Sequence, residues 1–204
     1  MLLISKIIIL IFSLVFHEIA HGYMAYFCGD TTAKKYGRLS LNPIKHLDIA
    51  GTLFPIFMIL SGSSFIIGWA KPVPINYYNL KNGRIGEFLV SIAGVTGNFI
   101  LVIVATILFR YFRSSLDAFT ATIISYTIII NLTLAIFNLL PIPPLDGSRA
   151  VSSFLSNKNR EFIFRYDNYG MILIIILAYF GILGKIISPI IDTILNLLNY
   201  YIVM

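Results

Sequence analysis

Three residues near the start of the chain have the types and the spacing of a metal site. His17, Glu18 and His21 form the pattern H-E-x-x-H inside an apolar run that is predicted to be helical. Residues four apart share one face of a helix, so both imidazoles can direct a ring nitrogen at one Zn²⁺ ion while Glu18 lies beside it as a base. A plainer interpretation is that the three residues cap a helix end, but ionisable groups within an apolar segment are costly and usually functional. The pattern therefore predicts a zinc site with a carboxylate base.

A third zinc ligand has to come from elsewhere, because a catalytic zinc usually takes three protein ligands and keeps a fourth position open. Cys28 is the only cysteine, so no thiolate cluster can form. The remaining candidates are His46, Asp48, Glu87 and Asp146. Asp146 is favoured because it follows an apolar stretch that three prolines break, and a broken helix at membrane depth is tolerated only against protein or a water-filled cavity. The plainer alternative is a loop after a helix.

The composition indicates that these residues belong to a membrane protein. Hydrophobic residues make up 58% of the 204 residues, charged residues only 12%, and the mean hydropathy is +0.87. A soluble enzyme, a nucleic-acid-binding protein and a disordered module are excluded, because a small soluble domain cannot hide this much apolar surface. Apolar windows of sufficient length to cross a bilayer, or nearly so, cover residues 2–27, 49–70, 88–109, 118–145 and 168–184.

The basic residues favour one orientation in the membrane. Pro55 and a Ser/Gly-rich stretch divide the 49–70 window, so we interpret it as a re-entrant hairpin, with one continuous crossing helix as the alternative. With the hairpin, one face carries 11 of the 15 Lys and Arg residues, and the positive-inside rule makes that face cytoplasmic. The tail, residues 186–203, has a polar stripe and either spans the membrane or lies at its surface.

The fold class that follows is an all-α polytopic membrane protein. We expect a single integral-membrane domain over residues 1–204, built as a helix bundle of about five to six membrane segments. Residues 36–43 and 69–76 are predicted to be extended, forming a small β element associated with the membrane, although Pro72 and Pro74 suit only an edge strand.

Taken together, these features resemble the site-2 protease family of intramembrane zinc metalloproteases, in particular its short members without a PDZ domain. The resemblance covers nearly the whole chain. It rests on F-H-E-I-A-H-G at residues 16–22 and N-L-L-P-I-P-P-L-D-G at 138–147, with L-N-P at 41–43, G-W-A-K-P-V-P at 68–74 and A-G at 93–94 followed by Asn98. The family commonly has proline after that Ala-Gly pair, and this chain has Val95.

The resemblance implies a zinc metalloendopeptidase with one Zn²⁺ per chain. His17, His21 and Asp146 would bind the metal, and Glu18 would be the general base. Asn98 would hold substrate or stabilise the oxyanion; an interhelical hydrogen bond is an equally open interpretation. Asn131 and Asn138 are expected to line the same interior as packing residues. His46 is interpreted as a surface residue or a neighbour of the ligands rather than as a ligand.

The expected activity is hydrolysis of peptide bonds in or near transmembrane segments of membrane proteins, with the active site near the cytoplasmic side of the plasma membrane. The expected partners are a transmembrane protein or peptide substrate, the lipid bilayer and a membrane regulatory protein, and no nucleic acid. A metal or proton transporter would also explain intramembrane His and Glu, but transporters usually contain an internal repeat and this sequence shows none. A zinc-binding scaffold without activity is the third interpretation, and the intact set of four site residues argues against it.

Overall fold

The part of the chain that the structure describes folds as a set of α-helices, as the sequence predicts. The structure is a computed structural model, and it describes residues 2–46, 48 and 71–203, with the backbone alone over residues 199–203. Two short 3₁₀ turns, Pro43–His46 and Tyr77–Asn79, lie between helices. The α-helices are α1 (Leu2–Phe27), α2 (Thr32–Lys35), α3 (Gly83–Phe112), α4 (Ala118–Leu139), α5 (Asp146–Ser152), α6 (Asn157–Arg165), α7 (Asp167–Tyr179) and α8 (Ile182–Val203).

Three of these helices, α1, α3 and α4, are long and apolar enough to cross a membrane. Helices α6 and α7 meet at a bend of 54° and together could supply a fourth span. The described residues thus confirm a membrane protein with three or four candidate spans, and the larger number of five to six is not confirmed. Many outward-facing apolar side chains on α1 and α3 are exposed, for example Ile8 and Ile103, as expected for a surface in contact with lipid.

Helix α4 ends where its sequence forces it to end. Asp117 caps its start by accepting a hydrogen bond from the Phe119 N–H. At the other end Leu140 is extended, because the residue before a proline is disfavoured in the helical region and Pro141 follows. The predicted 118–145 window is therefore a helix to Leu139 and then an irregular loop, which delivers Asp146 to the start of α5.

A buried carboxylate joins the ends of α1 and α3. Asp30, which is fully buried, accepts hydrogen bonds from the Thr32 N–H and hydroxyl, the Asn76 N–H and the Asn79 side chain. Burial alone would raise the pKa of Asp30, but hydrogen bonds from Thr32, Asn79 and Asn76 hold that pKa below its usual range. The Lys81 N–H also donates to the Cys28 carbonyl at 2.8 Å. The loops after α1 and before α3 are thus tied together at one end of the bundle.

The predicted β element is not confirmed, since the described residues contain no strand. Residues 71–76 belong to no helix or turn, Asn76 is extended, and residues that precede a proline, as Lys71 and Val73 do, favour extended backbone. Pro72 and Pro74 lack an N–H and cannot contribute donors to a ladder. Side chains hold the segment instead. The buried Arg38 donates from Nη2 to the carbonyls of Lys71, at 2.7 Å, and of Pro72.

The predicted re-entrant hairpin, residues 49–70, lies outside the described residues, as does the G-W-A portion of the 68–74 motif. The residues that flank the segment are described. The Lys71 N–H donates to the His46 carbonyl at 2.9 Å, so the two flanks lie side by side at the same end of α1 and α3.

This arrangement predicts the result of a labelling experiment. Single cysteines at the exposed positions 44 and 78, in a Cys28→Ser background, should react with an impermeant thiol reagent from the same side of the membrane. A cysteine at the exposed residue Ser115, in the turn between α3 and α4, serves as the control and should react from the opposite side. Labelling of positions 44 and 78 from opposite sides would contradict the structure.

Candidate metal centre

The two histidines of α1 lie on its buried face, one turn apart. His17 and His21 are 5% and 7% exposed, in line with the buried Ser13 a further turn away. The His21 Nδ1–H donates to the Val90 carbonyl of α3 at 2.7 Å, and the His17 Nδ1 lies 2.6 Å from the Asn98 side-chain oxygen. Both rings therefore turn their Nε2 atoms toward the same point, 3.1 Å apart.

Asp146 completes this group from the other side of the bundle. Its Oδ2 lies 3.1 Å from His17 Nε2 and 3.2 Å from His21 Nε2. The ionised carboxylate is the form of Asp146 that can bind a metal.

The three facing atoms fit a metal ion. Each Nδ1 faces an oxygen that accepts hydrogen bonds, so in the neutral imidazoles Nδ1 carries the proton and Nε2 a lone pair. Asp146 Oδ2 is buried and receives no hydrogen bond. Three lone pairs that converge without a proton between them repel one another unless a cation lies among them. Their separations of 3.1 to 3.2 Å are close to the roughly 3.3 Å expected between ligands of a tetrahedral zinc with bonds of about 2.0–2.1 Å.

Gly94 provides the space that these rings occupy. A Cβ atom built on Gly94 would lie 2.5 Å from His17 Nε2 and would also collide with His21 Nε2. Helix α3 therefore approaches the two metal-facing nitrogens with its backbone, and a larger residue at this position would displace the two rings.

Backbone contacts also position the loop that carries Asp146. A Cβ on Gly147 would collide with the Leu139 carbonyl, and a Cβ on Gly170 of α7 would lie 2.7 Å from the Pro143 carbonyl carbon. Arg149 of α5 pairs with Asp167 of α7 and lies 4.2 Å from the centroid of the Phe164 ring. Helix α7 and the loop before α5 are thus packed without intervening side chains.

Glu18 is held by the extended segment described above. Its Oε2 accepts a hydrogen bond from the Val73 N–H at 2.7 Å. Val73 is buried between two prolines, so its N–H is the single backbone donor within residues 72–74. One carboxylate oxygen of Glu18 is therefore held by the backbone of this segment.

The asparagines form hydrogen bonds within and between helices. Asn98 is fully buried and bonds His17 on one side and Asn131 on the other, as the interhelical interpretation requires. Its role toward substrate stays a prediction. Asn138 donates to the Leu134 carbonyl of its own helix.

His46 is buried rather than at the surface. It donates from Nε2 to the Ser40 carbonyl at 2.8 Å, and it lies outside the group formed by His17, His21 and Asp146.

Sequence reasoning missed Gly94 as a space-making residue, the Val73 N–H and the Asp30 hydrogen bonds. A signal existed for Gly94, because Gly94 and Asn98 are four residues apart, which matches the spacing of His17 and His21 on the facing helix. The other two depend on contacts between residues 55 and 46 positions apart in the sequence, and no local pattern reports them.

Comparison with known proteins finds relatives that are named as zinc metalloproteases. The family model described as Peptidase family M50 matches residues 111–181, which include Asp146. "Putative zinc metalloprotease YwhC" of Bacillus subtilis is 39% identical over 204 residues, covering 95% of this chain and 90% of the relative. "Zinc metalloprotease MJ0392" of Methanocaldococcus jannaschii is 29% identical, over 87% of this chain and 42% of the relative. "Putative zinc metalloprotease Rip2" of Mycolicibacterium smegmatis is 27% identical, over 81% and 62%. No solved structure matches.

Proposed function

Because the chain belongs to peptidase family M50, the site-2 protease family of zinc metalloproteases, we propose that it hydrolyses peptide bonds within or beside the transmembrane segments of membrane proteins. The observation that carries this proposal is the convergence of His17 Nε2, His21 Nε2 and Asp146 Oδ2, with Glu18 following His17 directly on the same helix. A metal site with three protein ligands and an adjacent base is the arrangement of a hydrolytic zinc centre.

The depth of the site supports cleavage inside the membrane. His21 and His17 lie about 9 Å and about 15 Å along α1 from its end at Phe27, at a rise of about 1.5 Å per residue. Both positions fall within a hydrocarbon core of about 30 Å if α1 crosses it. A substrate helix hides its peptide groups in internal hydrogen bonds, so a short stretch must unwind before it can enter. The extended residues 71–76 lie beside Glu18, and an unwound substrate would run along them.

The four site residues have two roles in the proposed reaction, metal binding and proton transfer. His17, His21 and Asp146 would hold zinc, which when bound acidifies water and polarises the scissile carbonyl. Glu18 takes the proton of the attacking water on Oε1 and transfers it to the leaving nitrogen, while the Val73 N–H keeps Oε2 in place. No side chain becomes covalently attached to the substrate in this scheme.

The site is proposed to face the cytoplasm from the plasma membrane. The loops at the site's end of the bundle carry most of the basic residues, and the positive-inside rule assigns such loops to the cytoplasmic side. The proposed partners are a transmembrane substrate and a regulatory membrane protein.

Removal of zinc provides the test of the proposed function. Detergent-purified protein should contain about one zinc per chain and should cleave a generic transmembrane peptide. A zinc chelator should end cleavage and added zinc should restore it, because the proposed reaction requires bound zinc. Asp146→Ala should lose most of its zinc, since Asp146 supplies one of three ligands. Correctly folded wild-type protein without zinc, or cleavage that survives complete zinc removal, would contradict the proposal.

A further inference from the structure

A chain of buried hydrogen bonds connects α4 to one of the proposed zinc ligands. His17 Nδ1 lies 2.6 Å from Asn98 Oδ1, Asn98 Nδ2 lies 2.8 Å from Asn131 Oδ1, and Asn131 Nδ2 lies 2.9 Å from Ser13 Oγ. Asn98, Asn131 and Ser13 are each fully buried, and His17 is 5% exposed. These hydrogen bonds link α1, α3 and α4 in the interior of the bundle.

The backbone carbonyl of Thr127 determines which atom donates in each of the hydrogen bonds between Asn131, Asn98 and His17. Asn131 Nδ2 also lies 2.8 Å from the Thr127 carbonyl, which can only accept a hydrogen bond. Asn131 must therefore turn its amide nitrogen toward Thr127 and its oxygen toward Asn98. Asn98 must then donate to Asn131 with its nitrogen, and its oxygen faces His17. As a result, Nδ1 of His17 is the donor and carries the proton.

His17 and His21 differ in how this proton is fixed. The partner of His21 Nδ1 is the Val90 backbone carbonyl, which has no alternative orientation. The partner of His17 is a side-chain amide, which could rotate by half a turn and present a donor in place of an acceptor. His17 would then carry its proton on Nε2, the atom that faces Asp146 and His21.

We propose that Asn131 is a positioning residue for the metal centre, which fixes the amide orientation of Asn98 and thereby keeps His17 Nε2 free for zinc. This inference rests on the proposed function, because it assigns Asn131 a part in the same zinc site. Partners of ligating histidines commonly affect metal affinity in this way. Here the partner is itself oriented by a second residue from a third helix.

The tautomer of His17 in the metal-free protein is the direct test. Nitrogen NMR of histidine-labelled wild-type protein should show the proton of His17 on Nδ1. In Asn131→Leu, which has a similar size and no polar group, the Asn98 amide loses its fixed orientation. The variant should show His17 partly or wholly protonated on Nε2. Zinc affinity, measured by competition with a chelator, should fall about 10- to 100-fold.

A second substitution distinguishes this mechanism from a general loss of packing. Aspartate at position 98 offers only acceptors when ionised, so His17 Nδ1 would donate whatever occupies position 131. The double variant Asn131→Leu with Asn98→Asp should therefore recover both the Nδ1–H tautomer and most of the zinc affinity. Asn138→Leu is the matched control, since Asn138 bonds its own helix, and it should keep wild-type zinc affinity.

Several outcomes would overturn the inference. They are an Nε2–H tautomer in the metal-free wild-type protein, an unchanged tautomer in Asn131→Leu, and a loss of affinity that Asn98→Asp does not rescue. The measurement of the His17 tautomer in the wild-type protein does not depend on whether any variant folds. All three measurements are made without substrate. The cleavage assay tests the proposed proteolysis, and its result is therefore independent of the result for Asn131.

Discussion

Glu18→Gln is expected to lower the rate of peptide cleavage by about 10²- to 10⁴-fold, the range typical of the loss of a general base. Glutamine has the shape of glutamate, and its side-chain oxygen can still accept the Val73 N–H in the place of Oε2. The substitution thus leaves the geometry in place and removes the capacity to take a proton. Zinc content should stay at the wild-type level, because neither imidazole nor Asp146 is altered.

The measurement is single-turnover cleavage of a transmembrane peptide by wild type and variant, with zinc determined on the same samples. Glu161→Gln is the matched control, since Glu161 is an exposed residue of α6, and it should cleave at the wild-type rate. Cleavage by zinc-loaded Glu18→Gln within a factor of about ten of wild type would remove Glu18 from the mechanism.

Gly94→Ala is expected to weaken zinc binding strongly without removing any ligand. The added methyl group would occupy the space of the two metal-facing nitrogens, 2.5 Å from His17 Nε2. Both rings must then tilt away, and each tilt breaks a buried hydrogen bond, to Asn98 or to Val90. We expect zinc affinity to fall by at least about 100-fold, beyond the usual effect of altering a residue behind a ligand, and cleavage to fall with it.

Gly184→Ala provides the comparison for this experiment, because a Cβ on that helical glycine meets open space. It should bind zinc as wild type does. Zinc titration by chelator competition and a thermal unfolding curve separate loss of the site from loss of the fold. Wild-type zinc affinity in Gly94→Ala would show that the imidazoles lie farther from α3 than the structure places them.

Local patterns in the sequence predicted the parts of the site that depend on one helix or one break. The four-residue spacing of His17 and His21 predicted a shared helical face, and the prolines before Asp146 predicted the end of α4. Composition predicted a membrane protein, since apolar helices α1, α3 and α4 follow from runs of uncharged residues. These features are encoded by neighbours in the chain.

Features that depend on packing between distant segments were not predictable. The hydrogen-bond partners of Asn98 could not be identified until α1, α3 and α4 were placed together, because both partners lie on other helices. The extended character of residues 71–76 was predicted, but its pairing as a β element was not confirmed among the described residues. Proline removes ladder donors, and Arg38, Glu18 and Asp30 take the backbone groups that remain.

The glycines at 147 and 170 have a consequence for how mutational tolerance is interpreted in this protein. Asp146 is located by backbone packed directly against backbone, at Leu139 and at Pro143, with no side chain in between. Such a contact has no flexible atoms that can yield, so even one added carbon would displace the loop that carries the aspartate. Positions with no functional group are therefore as restricted as those with one. Alanine scanning, which is designed to delete interactions, acts at these two sites by inserting an obstruction.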